Sequence, residues 1–410
     1  MKISTLYSSL ILIFFLTTLS HQATFPPSYP PQQNPRLQNA FLALQALKHA
    51  ITSDPKGFTS NWYGPYVCNY TGVYCAPAPD NPNHQTVAGI DLNHADISGY
   101  LPEPLGLLKD LTLFHINSNH FSGTLPQSFS NLRLLYELDI SNNIFSGEFP
   151  QVVFSLPSLK FLDIRFNQFQ GDIPSNVFNL KLDALFINNN NFQSKIPENI
   201  GNSPVSVFVL ANNNLKGCFP ASITKMANLN ELILSNSGLS SCLPYDIGAL
   251  TSLTVFDVSF NTLTGPLPES IGRMKNLEQL NVAHNQFSGK VPASICYLPR
   301  LENFTFSDNY FYGEAPMCSK LPKIDDRKNC LPERPLQRIR TKHDRLFFTL
   351  CGFRRQVVVS RQRQAVDDFM NQYPTKPEKR RMVLERKVVL CERDGHFDVR
   401  ANVHMTRQNP

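Results

Sequence analysis

The stretch LEQLNVAHNQFSGKVP, residues Leu277–Pro292, decides how this chain folds. Its first, fourth and sixth residues are apolar, which predicts a short β-strand that buries one face. The amide of Asn285 can both donate and accept hydrogen bonds, so it can pair backbone groups that a bent chain leaves unpaired. Gly289 then permits a close turn, and Pro292 ends the unit where no backbone donor is needed.

The same pattern recurs ten times at intervals of 23 or 24 residues. The position of Asn285 in each copy, called the Asn slot below, is occupied by Ala95, Asn119, Asn143, Asn167, Asn190, Asn213, Ser237, Asn261, Asn285 and Asn309. A repeat of this length and pattern is a leucine-rich repeat, in which each copy adds one coil to a solenoid and one strand to a concave sheet. We interpret Ala95 and Ser237 as structural variation. Such solenoids present long concave binding surfaces.

We therefore predict an α/β solenoid, a leucine-rich repeat horseshoe with a parallel concave sheet and disulfide-containing caps. The ten coils cover residues 86–317, between an N-terminal cap at 36–85 and a Cys-containing cap segment at 318–338. In the N-terminal cap, apolar residues at helical spacing predict a helix from Arg36 to His49. The G-x-I/L-P ending of the coils resembles the plant-specific class of this repeat.

The first 23 residues have the features of a secretory signal peptide. Lys2 precedes an apolar run from Leu10 to Leu19, which ends in small residues. No later run approaches the roughly 18 apolar residues of a membrane helix. We therefore expect an exported chain without a membrane span. A Pro-rich arm, residues 24–35, follows the signal.

Charge divides the chain into an acidic solenoid and a basic tail. Residues 37–317 carry 14 Lys and Arg against 21 Asp and Glu, net −7, whereas residues 318–410 carry 22 against 11, net +11. The tail at 339–410 has no repeat, and we expect a loosely folded extension. Its Arg and Lys runs are a weak signal for nucleic acid, and an export signal argues against that partner.

Nine cysteines in an exported chain should mostly be paired. Cys218 and Cys242 each lie five residues after an Asn slot, so stacked coils would bring them about 5 Å apart and predict a disulfide. Cys296 and Cys318 flank the last coil and are predicted to seal it. Cys330, Cys351 and Cys391 remain, an odd number, so at least one is either unpaired or bonded between chains. No cysteine or histidine spacing fits a metal site, and no cofactor is expected.

Two Asn-x-Thr sequences predict glycosylation, at Asn69 and at Asn303.

The outward positions of the predicted strands define a concave face. Among them, acidic residues surround two aromatic rings, a combination that suits a basic peptide because apolar anchors supply affinity and charges steer association. The predicted ligand-binding residues are Glu137, Asp139, Phe161, Asp163, Phe186, Glu231, Asp257 and Gln279. His115 is expected near Asp91 and Asp139 on adjacent strands, but no nucleophile or metal-binding motif accompanies it. We interpret it as a solvated histidine and expect no catalysis.

With these features placed, the chain resembles a known plant family. The N-terminal cap reads NWYGPYVCNYTGVYC (Asn61–Cys75), and the last coil, LENFTFSDNYFYGEAPMC, leads to DDRKNCLPERPLQR (Asp325–Arg338). These segments resemble the N-terminal half of the plant leucine-rich repeat extensins over roughly residues 36–338. The long Ser-Pro repeat region of that family is not found here, and after residue 338 the chain departs from it.

The resemblance implies a cell-wall protein that binds basic, cysteine-rich peptides of the rapid alkalinization factor type and acts in wall integrity and cell expansion. It also implies a disulfide between Cys68 and Cys75, with Trp62 sealing the first coil, and a domain that can form a homodimer. Cell-wall polymers are a further candidate partner class.

Two other binding functions compete with this interpretation. Inhibitors of pathogen polygalacturonases are also secreted plant repeat proteins, but the inter-coil cysteine pair and the DDRKNCLP segment are not expected in them. A receptor fragment is disfavoured because the chain has no predicted membrane helix and no kinase.

Overall fold

The computed structural model describes residues 34–338, which form one continuous solenoid. The predicted signal peptide, most of the Pro-rich arm, the tail at 339–410 and two of the nine cysteines, Cys351 and Cys391, lie outside the described residues. None of the helices in the described part is both long and apolar enough to cross a membrane.

The chain begins with the capping helix α1, Pro35–Ala50. The side chain of Asn34 accepts a hydrogen bond from the backbone N–H of Arg36 at 3.0 Å and so caps the helix. Pro35, which we had placed in the arm, is instead the first helical residue, a position where a missing N–H costs nothing. The face bearing Ala43, Leu44 and Leu47 is buried against the first coil. The predicted capping helix is thus confirmed.

Strands of the concave sheet follow the repeat. They are β2 (Val73–Ala78), β3 (Asn81–Asp91), β5 (Leu113–His115), β7 (Glu137–Asp139), β9 (Phe161–Asp163), β11 (Ala184–Phe186), β13 (Val207–Val209), β14 (Glu231–Ile233), β16 (Val255–Asp257), β18 (Gln279–Asn281), β20 (Asn303–Thr305) and β22 (Lys323–Asp325). They form one 12-stranded sheet in this order. All neighbours are parallel except β2 and β3, which pair antiparallel.

A second layer of strands was not predicted by the sequence pattern, and all but its first strand follow an Asn slot. Its strands are β1 (Ile51–Ser53), β4 (Ser98–Tyr100), β6 (His120–Gly123), β8 (Ile144–Gly147), β10 (Gln168–Gly171), β12 (Asn191–Phe192), β15 (Ser240–Ser241), β17 (Thr262–Gly265), β19 (Gln286–Lys290) and β21 (Tyr310–Gly313). They form a six-stranded sheet from β1 to β12 and a four-stranded sheet from β15 to β21.

Short helical turns complete the coils on the remaining side. One is the α-helix α2, Ala293–Cys296, and the others are 3₁₀ helices. The 3₁₀ helices are Val67–Asn69, Glu103–Leu107, Gln127–Asn131, Gln151–Ser155, Ser175–Asn179, Glu198–Asn202, Ala221–Lys225, Ile247–Ala249, Glu269–Arg273 and Pro316–Lys320. A single core of Leu, Ile, Val and Phe side chains runs between the three sides, so each coil is stabilised by its neighbours.

The Asn slots form a buried hydrogen-bond column, as predicted. Asn143 donates from Nδ2 to the carbonyls of Ile116, Ile140 and Ser141 at 2.9–3.2 Å, and its Oδ1 accepts from the N–H of Phe121 at 2.9 Å. The same pattern recurs at Asn119, Asn167, Asn190, Asn213, Asn261, Asn285 and Asn309. Ser237 preserves part of it through a hydroxyl bond to the Leu210 carbonyl.

The strand of an eleventh coil lies in the segment assigned from the sequence to the C-terminal cap. β22 pairs in register with β20, and the buried Asn329 repeats the slot geometry, accepting from Phe311 N–H and donating to the Phe306 carbonyl. The run KIDDRKN, residues 323–329, carried this signal. We missed it because Asn329 follows Asn309 by 20 residues and not by 23 or 24.

The predicted Cys218–Cys242 disulfide is wrong. In the concave sheet, residues at equal distances from the Asn slot pair, but in the second layer the pairing is displaced by two residues, and Cys218 bridges to Ser240. Two residues along a strand and one strand spacing across put equivalent Cα atoms about 8 Å apart. That separation exceeds the reach of a disulfide. Cys242 is disulfide-bonded, but not to Cys218.

Disulfides are present in both caps. Cys68–Cys75 closes a seven-residue interval beside Trp62, whose indole is fully buried, stacks on Tyr70 and donates to the Thr71 carbonyl at 2.9 Å. Cys296–Cys318 joins α2 to the next helical turn and seals the last full coil. Both pairings are confirmed. Cys330 is also disulfide-bonded.

Candidate functional site

The candidate site is the concave surface from β5 to β18. In these strands the central residue is buried, and the outer two are at least partly exposed in all but one strand. The structure therefore places all eight predicted ligand-binding residues on the concave sheet. They lie on β7 (Glu137, Asp139), β9 (Phe161, Asp163), β11 (Phe186), β14 (Glu231), β16 (Asp257) and β18 (Gln279). The exception is β9, where the outer residue Asp163 is buried.

Two aromatic side chains form the centre of the predicted site. The rings of Phe161 and Phe186, on neighbouring strands, lie 5.4 Å apart between centroids at a tilt of 47°. The guanidinium of Arg165 lies 5.2 Å from the centre of the Phe186 ring, within cation–π range. Arg165 was not among the predicted ligand-binding residues, and no sequence pattern indicates that its guanidinium would cover an aromatic anchor.

Asp163 is not an exposed carboxylate, which corrects our prediction. Its side chain is 1% exposed, and Oδ2 lies 3.1 Å from Nε of Arg165 without forming a hydrogen bond. Oδ1 accepts from the backbone N–H of Arg165 at 3.1 Å. Burial, together with the charge of Asp139 on the next strand, raises the pKa of Asp163 well above its ordinary value, against the opposing effect of Arg165. Asp163 cannot act as a steering charge.

His115 is more deeply placed than a solvated histidine. Its Nε2 lies 3.1 Å from a carboxylate oxygen of Glu137, the directly paired neighbour of Leu113 on the adjacent strand. Burial lowers the pKa of His115, but the hydrogen bond with Glu137 and the charge of Asp139 outweigh it, so the net pKa is raised. Glu137 therefore belongs to an ion pair when His115 is protonated.

Asp139 and Asp257 are held in the same way at opposite ends of the site. Oδ1 of Asp139 accepts from the backbone N–H and the hydroxyl of Ser141 at 2.9 and 2.6 Å. Oδ1 of Asp257 makes the equivalent bonds with Ser259 at 2.8 and 2.6 Å. Because Oδ1 is fixed in both, each carboxylate has a defined orientation. Oδ2 of Asp257 also accepts a hydrogen bond from Nδ2 of Asn281 at 3.1 Å. The Asp-x-Ser spacing on these two coils is the sequence signal for this arrangement.

Glu231 lies beside a hollow of about 540 Å³ at the edge of the sheet. Hydroxyl and amide groups line most of it, together with Arg300. Burial raises the pKa of Glu231. The hollow is continuous with β14 and can hold a polar extension of a ligand that lies on the concave surface.

The two predicted glycosylation sites differ in their surroundings. Asn69 is exposed in the N-terminal cap, whereas Asn303 is half-buried on β20 and accepts a hydrogen bond from the Thr305 hydroxyl at 3.3 Å. Attachment of a glycan at either site stays a prediction.

Comparison with known proteins supports the fold and the resemblance. Residues 37–76 match the family model "Leucine rich repeat N-terminal domain", and residues 109–169, 252–274 and 276–298 match leucine-rich repeat models. The chain is 74% identical over 95 residues to leucine-rich repeat extensin-like protein 6 of Arabidopsis thaliana, covering 23% of this chain and 20% of that protein. It is 72% identical over 89 residues to leucine-rich repeat extensin-like protein 3, covering 22% and 12%. The match thus spans a fifth or less of these relatives, and over that stretch the resemblance is confirmed.

Solved structures show the same architecture. The Arabidopsis receptor kinase HAESA, in complex with the peptide hormone IDA and the co-receptor SERK1, superimposes with a TM-score of 0.65 at 29% identity, over 71% of this chain and 50% of that one. A plant ice-binding protein superimposes with a TM-score of 0.61 at 24% identity, over 74% and 98%. At that identity the second match concerns the fold alone. The chain is a plant-type leucine-rich repeat solenoid, and these similarities support a binding role.

Proposed function

We propose that this protein is a non-catalytic, extracellular binding protein of the plant cell wall that holds a basic peptide across its concave face. The observation that carries the proposal is an apolar stripe bounded by oriented carboxylates. Partly exposed apolar side chains occupy the middle strands, and the stripe consists of Phe161, Ala184, Phe186, Val207, Val209, Ile233 and Val255. Glu137 and Asp139 lie at one end of it, and Asp257 lies at the other.

The dimensions suit a short extended peptide. Five strand spacings separate β7 from β16, so Asp139 and Asp257 are about 24 Å apart along the sheet. An extended chain of about seven residues covers that distance at roughly 3.3 Å per residue. Basic residues near its two ends would meet Asp139 and Asp257, while apolar residues between them would contact Phe161 and Phe186.

Similarity to proteins with known partners narrows the ligand class. The HAESA structure holds a peptide hormone on a solenoid of the same architecture. The resemblance to the leucine-rich repeat extensins implies basic, cysteine-rich peptides of the rapid alkalinization factor type. We place such a peptide on the stripe and propose that its capture contributes to wall integrity and cell expansion.

Charge reversal at the two ends tests the steering role. Asp139→Lys and Asp257→Lys should each slow association with a synthetic rapid alkalinization factor-type peptide and flatten its salt dependence, because the removed charges steer encounter. Asp172→Lys is the matched control, since Asp172 is exposed but lies beyond the concave strands. Surface plasmon resonance at several salt concentrations measures both effects. If all three variants slowed association equally, the change in net charge alone would explain the result, and the placement of the peptide on the concave face would be refuted.

Removal of an aromatic ring tests the anchor. Phe161→Ala should mainly speed dissociation of the peptide, because lost apolar contact acts on the bound state. An unchanged dissociation rate would move the site away from the stripe. Inhibition of a polygalacturonase by the wild-type protein, without peptide binding, would instead support the inhibitor function that competes with this proposal.

A further inference from the structure

One position in every coil has the same unusual backbone conformation. The residue immediately before each Asn slot has a positive φ, between 50° and 58° throughout. These residues are His94, Ser118, Asn142, Phe166, Asn189, Asn212, Asn236, Phe260, His284, Asp308 and Lys328. They form a row beyond the carboxyl ends of the concave strands, which we call the rim row. Asn and Asp tolerate this left-handed conformation because their short polar side chains bond locally.

Phe166 and Phe260 are out of place in the rim row. A bulky side chain in the left-handed region costs roughly 1–2 kcal/mol. Burial does not offset this cost, since Phe166 is 47% and Phe260 is 55% exposed. A strained and solvent-exposed aromatic residue, in a position where Asn fits without strain, points to a contact with something outside the chain.

The residues between the two rings form an ordered polar track. Nδ2 of Asn212 donates to Oδ1 of Asn189 at 2.9 Å, and Nδ2 of Asn236 donates to Oδ1 of Asn212 at 2.9 Å. All three are on consecutive coils, and each amide keeps further donor and acceptor capacity. At the far end of the track, the rings of Phe260 and His284 are stacked, with centroids 4.1 Å apart and an interplanar angle of 13°.

We infer that the rim row from Phe166 to His284 is a binding site for a neutral, extended polysaccharide. The two aromatic platforms are four coils apart, about 19 Å. Aromatic faces pack against the C–H-rich faces of sugar rings, and the amide track between them matches the alternating donors and acceptors of sugar hydroxyls. This site is separate from the proposed peptide site, because none of its residues lies in a concave strand.

Charge decides between a neutral and an acidic polysaccharide. From Phe166 to Asn236 the row has no charged side chain, and the adjacent concave face presents Glu137, Asp139 and Asp257. Beyond His284, the carboxylate of Asp308 lies 3.4 Å from the His284 ring nitrogen and 3.1 Å from Nζ of Lys328, so it is already paired. The carboxylates of the adjacent concave face would repel a polyuronate but leave a neutral glucan unaffected.

The test uses substitutions that remove the rings without disturbing the backbone. Phe166→Asn and Phe260→Asn install the residue that already fills the row in neighbouring coils, so each variant should be at least as heat-stable as the wild type. We expect the double variant to bind cellohexaose on the order of tenfold more weakly in isothermal titration calorimetry. Ser118→Asn, in the same row but outside the site, should leave cellohexaose binding unchanged.

Three outcomes would overturn the inference. They are absence of cellohexaose binding to the wild-type protein, tighter binding of hexagalacturonate than of cellohexaose, and undiminished cellohexaose binding by the double variant. Binding of the basic peptide provides the separation from the proposed function, since the double variant should retain it while Asp139→Lys should not retain its normal association rate. Loss of peptide binding in the double variant would assign the rings to the peptide site and also overturn the inference.

Discussion

Replacing Asn143 by Ala should destabilise the solenoid by about 4 kcal/mol. The amide makes four hydrogen bonds, to the carbonyls of Ile116, Ile140 and Ser141 and from the N–H of Phe121. Each bond contributes about 1 kcal/mol net, and the loss falls entirely on buried backbone groups that water cannot reach. Asn213 is the matched control, because it makes the same four bonds but is only half-buried. We expect about 2 kcal/mol for Asn213→Ala, since water can replace part of its bonding.

Hydrogen exchange of single backbone amides measures the local loss of stability in each of the two variants. The Phe121 amide should exchange about a thousandfold faster in the Asn143→Ala variant, the equivalent of roughly 4 kcal/mol in opening free energy. The Phe192 amide, which bonds Oδ1 of Asn213, should accelerate by a smaller factor in Asn213→Ala. Equal effects of the two substitutions, or a loss under about 1 kcal/mol for Asn143→Ala, would refute the view that the buried column holds the coils together.

Three further predictions concern other parts of the molecule. Because the pKa of Asp163 is raised in the folded state, folding favours the neutral carboxyl. The stability that this carboxyl contributes to the folded protein is fully present below about pH 3.9 and is lost as the pH rises through the folded-state pKa. Asp163→Asn should therefore raise the urea midpoint at neutral pH, and the difference from wild type should close below about pH 4; a difference independent of pH would contradict the assignment. Removing the Cys296–Cys318 disulfide by a double Ser substitution should cost about 3 kcal/mol in urea unfolding, and an unchanged midpoint would show that the C-terminal cap needs no cross-link. In Gly248→Ala, the new Cβ would lie 1.8 Å from the Ser270 carbonyl oxygen, so the melting temperature should fall sharply, whereas Gly89→Ala, with its nearest neighbour at 3.5 Å, should be tolerated.

Features that repeat were predictable from the sequence. The inward leucines and the Asn slots recur in every coil, so they predict the register of Glu137–Asp139 and of the other concave strands. The raised pKa of Asp163 was not predictable, because it depends on burial beside Arg165 and on the charge of Asp139 from a neighbouring coil.

Two errors in the prediction had different causes, one in how the coils stack and one in the length of the last interval. The two-residue displacement of the second layer separates Cys218 from Cys242, although both have the same position in their repeat. β22 was missed because the last interval is shorter than the repeat. Backbone geometry between coils determines the first error, and spacing along the chain does not report it, whereas the sequence did carry the signal for β22.

The two ends of the concave sheet have a consequence for how any partner is recognised. At one end β2 runs antiparallel to its neighbour and contains Pro77, which has no N–H to offer an added strand. At the other, within residues 34–338, β22 is only three residues long and carries the charged Lys323 and Asp325. Neither border is suited to strand addition, so a ligand has little access to the sheet's backbone. Partner choice then rests on side chains, and relatives of this solenoid can change specificity by single substitutions on a fixed scaffold.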